Sequence, residues 1–176
     1  MKLKLEFVNK PPKVAKHSEV ILLKEKSSKN KIFNSFDKNI FSDKLFLEKN
    51  FIIKNSNNLN YIFVNCSKSN TSLDFEKLGS ELYIFLKNNK IENSFVNINL
   101  SKITKIHLER FLHGAQLKSY NFDIYKTDKS TNPNINFYIV GNSFKKTSLL
   151  RNKLNALLQG VILTRDLVSE PGNVLH

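Results

Sequence analysis

From residue 61 onward the sequence switches repeatedly between two hydrophobic periods, and this alternation constrains the fold more than any other feature. Tyr61-Ile62-Phe63-Val64 is a short apolar run bounded by turn residues, the pattern of a strand buried on both faces. Thr71-Ser72-Leu73-Asp74 follows, with hydroxyl caps ahead of an acid in the first turn of a helix. Phe75, Leu78, Leu82, Phe85 and Leu86 then recur at helical spacing as far as Asn88-Asn89. Residues 94 to 100 (SFVNINL) read as a strand. Ser101 is expected to cap a second helix with Ile103, Ile106, Phe111, Ala115 and Leu117 inward. YNFDIYKT looks extended, and Ile135 to Val140 is a strand ending at Gly141. From Ser143 a long helix carries Leu150, Leu154, Leu157, Val161 and Val168 on one stripe. Such alternation implies an α/β domain: a mixed sheet flanked by helices on both faces.

The first third is less regular. Leu3, Leu5 and Phe7 alternate with Lys2, Lys4 and Glu6, a half-buried strand that Pro11-Pro12 ends. Ser18 to Leu23 is a second strand, and these two strands are expected to form an antiparallel part. Lys24 to Lys31 is a polar loop. Phe33, Phe36, Ile40 and Phe41 have helical spacing, whereas Leu45, Leu47, Phe51, Ile52 and Ile53 are strand-like. Asn55 to Asn58 is a turn cluster.

Length and composition suit one packed domain. The 176 residues are 40% hydrophobic, with 14 Phe and no Trp, so a Phe/Leu/Ile core is expected. A chain of this size buries on the order of 70% of its unfolded surface. There are 28 Lys plus Arg against 15 Asp plus Glu, a net charge of +13. An anionic partner, nucleic acid or a membrane surface, is one reading. The other is coding bias: the positive charge is nearly all lysine, scattered along an Asn-rich chain, with arginine only at 110, 151 and 165. Charge alone then implies weak, salt-sensitive adhesion to polyanions. Cys66 is the only cysteine, which excludes an internal disulfide and fits a reducing, cytoplasmic compartment. The start, MKLKLEFVNKPP, lacks an apolar signal-peptide core, and no run approaches the ~20 apolar residues of a membrane span.

A search for chemistry returns little. The five glycines, at 79, 114, 141, 160 and 172, are too dispersed for a phosphate-binding loop. The histidines are His17, His107, His113 and His176; His107 and His113 lie on different faces of one helix, whereas a single zinc ion prefers i and i+4. Cys66 follows a strand, where α/β enzymes place reactive groups, but no base accompanies it. Asp74 with Glu76 and Glu109 with Asp123 are the available carboxylate pairs, and both sit in contexts that a solvated helix face or cap also explains. No catalytic, cofactor-binding or metal-binding residue is assigned.

Two stretches carry a resemblance. RFLHGAQLKSYNFDIYKT, residues 110 to 127, holds Gly114, Leu117, Tyr120, Phe122, Tyr125 and Lys126. GVILTRDLVSEPGNVLH, residues 160 to 176, holds Thr164, Arg165, Asp166, Leu167, Val168, Pro171, Gly172 and Asn173. Together they resemble the N-terminal domain of the leucyl aminopeptidase (cytosol aminopeptidase) family. NYIFVNCSKS followed by FEKLGSELYIFL is similar to that family's strand, loop and helix. Here Asn65-Cys66-Ser67 stands where the family usually has a Gly-x-Gly type loop, which puts a tight backbone conformation there in doubt.

The resemblance implies a macro-domain-like fold and a hexameric parent. That parent would remove N-terminal residues, often leucine, from peptides, using two Zn or Mn ions to activate water and polarise the scissile carbonyl. The family's metal ligands and catalytic Lys and Arg belong to its C-terminal domain, and none maps onto this sequence. The expected organisation is an α/β domain over 1–142, a linking helix over 143–170, and the start of a C-terminal catalytic domain over 171–176. Arg165 and Asp166 then read as orienting residues of a linker. Leu163, Leu167 and Leu175 are candidates for apolar contact with the partner domain or for self-association. A macro-like nucleotide site or a basic nucleic-acid surface is the alternative reading.

Overall fold

Among the described residues the alternation becomes six strands and three helices. Residues 3–10, 17–23, 50–56, 59–98, 101, 103–125, 134–141 and 149–171 are described in the computed structural model. The expectations for Pro11-Pro12, the loop from Lys24, the spacing of Phe33 to Phe41, Leu45, Leu47, Lys126 and residues 172–176 lie outside them. In chain order the elements are β1 (Leu3–Val8), β2 (Ser18–Leu23), β3 (Phe51–Ser56), β4 (Leu59–Asn65), α1 (Ser72–Asn88), β5 (Asn93–Asn97), α2 (Lys105–Lys118), β6 (Ile135–Val140) and α3 (Leu149–Ser169).

The strands form one mixed sheet in the order β1-β6-β5-β2-β4-β3. All neighbours are parallel except β3 and β4. The first two strands therefore do not form an antiparallel part. β1 lies at an edge, parallel to β6, with Leu3 opposite Ile135 and Phe7 opposite Ile139. β2 sits between β4 and β5. The antiparallel pair is β3–β4, because only residues 57 and 58 separate Ser56 from its partner Leu59, a connection too short for a crossover. The ladder runs into the expected turn cluster, with Asn55 opposite Asn60 and Ser56 opposite Leu59.

From β4 through β5 to β6 the chain steps in one direction along the sheet. Right-handed crossovers then put α1 and α2 on the same face. That face contributes Leu3, Val20, Leu22, Ile62, Val64, Val96, Ile135, Phe137 and Ile139 to the core. α1 adds Phe75, Leu78, Leu82 and Leu86; α2 adds Leu108, Phe111, Leu112 and Ala115. Ile21, Leu23, Ile52, Phe63 and Phe95 alternate with those strand residues and are buried as well, so both faces of the sheet are covered.

Local chemistry sets the helix starts. Thr71 caps α1 through the Asp74 amide, and the Asp74 carboxylate accepts in return from the Thr71 amide, a complete capping box. α2 begins later than expected. Its cap is Thr104, whose hydroxyl accepts from the His107 amide. Ser101 is used otherwise: its hydroxyl accepts from the Leu22 amide at 3.2 Å and donates to the Asn97 carbonyl at 3.0 Å, tying the approach to α2 onto the centre of the sheet. Ile106 consequently falls in the first turn and is exposed. Tyr120 to Asp123 form no strand, and a turn follows at Ile124-Tyr125.

Candidate functional site

The two motif stretches converge where α3 meets α2, and the junction is built in layers. The first layer is a close crossing of α1 and α2. A Cβ on Gly79 would overlap the Phe111 carbonyl, and one on Gly114 would overlap the Glu76 carbonyl, so each position admits only glycine at this separation. The Ser80 hydroxyl donates to the carbonyls of Glu76 and Gly114, both at 3.0 Å. The Arg110 guanidinium meets the Glu76 carboxylate at 2.6 Å.

The second layer docks α3. Its buried residues are Arg151, Leu154 and Leu158, all in the first half of the helix. Of the expected stripe Leu154 is buried, but Leu157 is 53% and Val168 81% exposed, so the inward face follows a different register. Arg151 binds Glu109 of α2 through two parallel contacts, Nε to Oε2 at 3.1 Å and Nη2 to Oε1 at 2.9 Å. The guanidinium also lies 3.6 Å over the Phe7 ring of β1. Burial of both charges makes the planar, two-pronged geometry necessary. Nothing in motif reasoning marked this pair. The available signal was an arginine in register with the apolar Leu154 and Leu158, three and seven residues ahead of them.

Beside the pair is a cavity of about 130 Å³ lined by residues that include Leu5, Phe7, Glu109, His113, Arg151 and Leu154. His113 is buried and its Nδ1 has no hydrogen-bond partner. Burial holds its imidazole below the usual histidine range; Glu76 opposes that shift and Arg110 adds to it.

The third layer joins the motifs directly. The Tyr120 hydroxyl donates to the Asp166 carboxylate at 2.7 Å, and the Arg165 guanidinium donates to the Leu117 carbonyl at 3.0 Å while lying 5.5 Å over the Tyr120 ring. The Tyr125 hydroxyl bonds the Glu170 carboxylate. Arg165 and Asp166 therefore orient the helix against the domain.

The other sequence candidates are committed to structure. Cys66 is fully buried, its thiol 3.7 Å from the Val64 carbonyl. The loop after β4 needs no left-handed residue: Asn65 Oδ1 accepts from the Ser67 amide at 3.0 Å and its hydroxyl at 2.7 Å. His107 stacks on Phe75 at 4.2 Å, and His17 lies against Phe95. Neither carboxylate pair is assembled, because Asp74 caps α1, Glu76 binds Arg110 and Glu109 binds Arg151. Asp123 accepts from Asn121. Among the described residues no three His, Cys, Asp or Glu side chains gather to hold a metal, so they do not fit the two ions the resemblance implies. No described helix is long and apolar enough to cross a membrane.

No family model matches the chain. Over 65 residues, 36% of this chain, it is 43% identical to a probable cytosol aminopeptidase of Gluconobacter oxydans (strain 621H). Over 78 residues, 42% of this chain, it is 33% identical to a probable cytosol aminopeptidase of Phytoplasma mali (strain AT). In fold it superposes on a tomato leucine aminopeptidase mutant with a TM-score of 0.68 over 98% of this chain. What the chain is similar to is the N-terminal domain of the leucyl aminopeptidase family. The bottromycin maturation enzyme BotP, in complex with Mn, shares the fold with a TM-score of 0.61 over 92% of this chain. Identities to these two structures are 15% and 13%, so they speak for the fold alone. The matches span 13% and 16% of the two cytosol aminopeptidases and 39% of the tomato chain.

Proposed function

We propose that this chain is the non-catalytic N-terminal domain of a two-metal leucyl aminopeptidase, acting in the cytoplasm on the N-terminal residues of peptides. The observation that carries the reading is the 43% identity to a cytosol aminopeptidase, on a fold that superposes over nearly the whole chain. The structural use of Cys66, Asp74, Glu76 and Glu109 supports a packing and assembly role over a chemical one. Its partner would be the C-terminal catalytic domain of the same polypeptide, which would hold the Zn or Mn ions, within a homo-hexamer. The exposed Leu157, Leu163 and Leu167 of α3 suit apolar contact with that domain. The macro-like or basic binding-module alternative has only the net charge of +13 behind it.

The test is hydrolysis of a leucyl anilide by the purified chain, with Mn²⁺ or Zn²⁺ added, before and after mixing with the separately produced catalytic part of the Gluconobacter relative. No turnover by the chain alone, and a stable complex on gel filtration after mixing, are expected. Turnover by the chain alone, in a preparation from a host lacking its own leucyl aminopeptidase, would overturn the reading.

A further inference from the structure

α3 is one helix by hydrogen bonding but two by the way it is held. Before Gly160, attachment is through buried groups: Arg151 on Glu109 and Phe7, with Leu154 and Leu158 in the core. After Gly160, no residue of the helix is buried, and Leu163, Leu167 and Val168 are 60%, 49% and 81% exposed. Thr164 bonds back within the helix to the Gly160 carbonyl at 2.9 Å, and the second half is held to the rest of the domain by side-chain polar contacts, all of those described ending on one short segment, residues 117 to 125. They are Arg165 to the Leu117 carbonyl, Tyr120 to Asp166, and Tyr125 to Glu170. Gly160 stands at the boundary with open space around the position of its absent Cβ. It is also the weakest helix former in the element.

We infer that residues 161–169 form a latched arm, released as a unit when the contacts of Tyr120, Tyr125 and Arg165 break, while residues 149–158 stay docked. Exposed or half-buried polar contacts exchange more readily with water, whereas breaking the Arg151–Glu109 pair strands a buried charge. Opening beyond Gly160 therefore costs less than undocking the whole helix, the condition for a sub-global opening. The latch sets the direction in which Leu163, Leu167 and Val168 are presented. The aminopeptidase reading is not needed for this inference.

Amide hydrogen exchange of the full 176-residue chain tests it. Tyr120→Phe combined with Tyr125→Phe removes two hydroxyls and keeps both rings, so the core is untouched. Exchange across 162–169 should rise at least tenfold, with 152–158 unchanged. Gly160→Ala, which meets no atom, should reverse part of that rise when added to the double variant. Unchanged exchange in 162–169 would mean that the end simply frays, and would overturn the latch. An equal rise along all of α3 would overturn the boundary at Gly160. Arg165→Ala supplies an independent third arm with the same expected pattern.

Discussion

Arg151 and Glu109 show how much one pair decides. The bidentate geometry and the Phe7 ring compensate two charges taken out of water. Truncating one partner strands the other, so Glu109→Ala is expected to cost about 3–5 kcal/mol, read as a lower urea midpoint. Replacing both with leucine and methionine of similar bulk should recover most of that loss, since a well-packed apolar pair carries no desolvation cost. A loss in the double variant equal to the sum of the two single losses would show that the pair does not act as a unit. At this scale the sequence supplied residue types but not partners. Glu109 offered itself with Asp123 as an acid–base pair; its actual partner lies 42 positions away on another element.

The α1–α2 crossing is a property of two elements together. Neither glycine is needed for its own helix, where glycine costs about 1 kcal/mol relative to alanine. On propensity alone, Gly79→Ala and Gly114→Ala should both stabilise. The crossing reverses that sign, because each Cβ would meet a backbone carbonyl that cannot rotate away. Each substitution is expected to destabilise by about 1–3 kcal/mol, seen as a fall in Tm, and a rise in either would refute the close approach. Strand and helix types were legible from periodicity, with β1, β2, β4 and β6 close to their expected bounds. The register of α3 was not. Its second half carries nearly as many apolar residues as its first, and only the docking of Arg151, Leu154 and Leu158 selects the inward face.

For the molecule as a whole, acid should act in two stages. Burial depresses His113, so the folded state prefers the neutral ring. That preference contributes stability at pH values above the ordinary value of 6.5, and it is lost as pH falls from there through the lower folded value. Asp74 is depressed by the Thr71 amide and hydroxyl and the Asn70 amide; its contribution holds above 3.8 and is lost only as pH falls further. His113→Leu should flatten the urea midpoint between pH 7.5 and 5 and leave the later acid transition in place. A slope that survives the substitution would assign it to another group.

The sequence by itself determined the class of fold, because hydrophobic period is a local property that strands and helices read directly. It also determined the start of α1 and the family resemblance, which rest on residues close together in the chain. The tertiary structure alone decided which strands are neighbours, which pair runs antiparallel, and which carboxylate meets which arginine. Those choices depend on groups tens of residues apart, brought together only when the sheet order is set. The two motifs illustrate the division. Each was visible as a string, but that Tyr120 of one holds Arg165 and Asp166 of the other is a fact about packing.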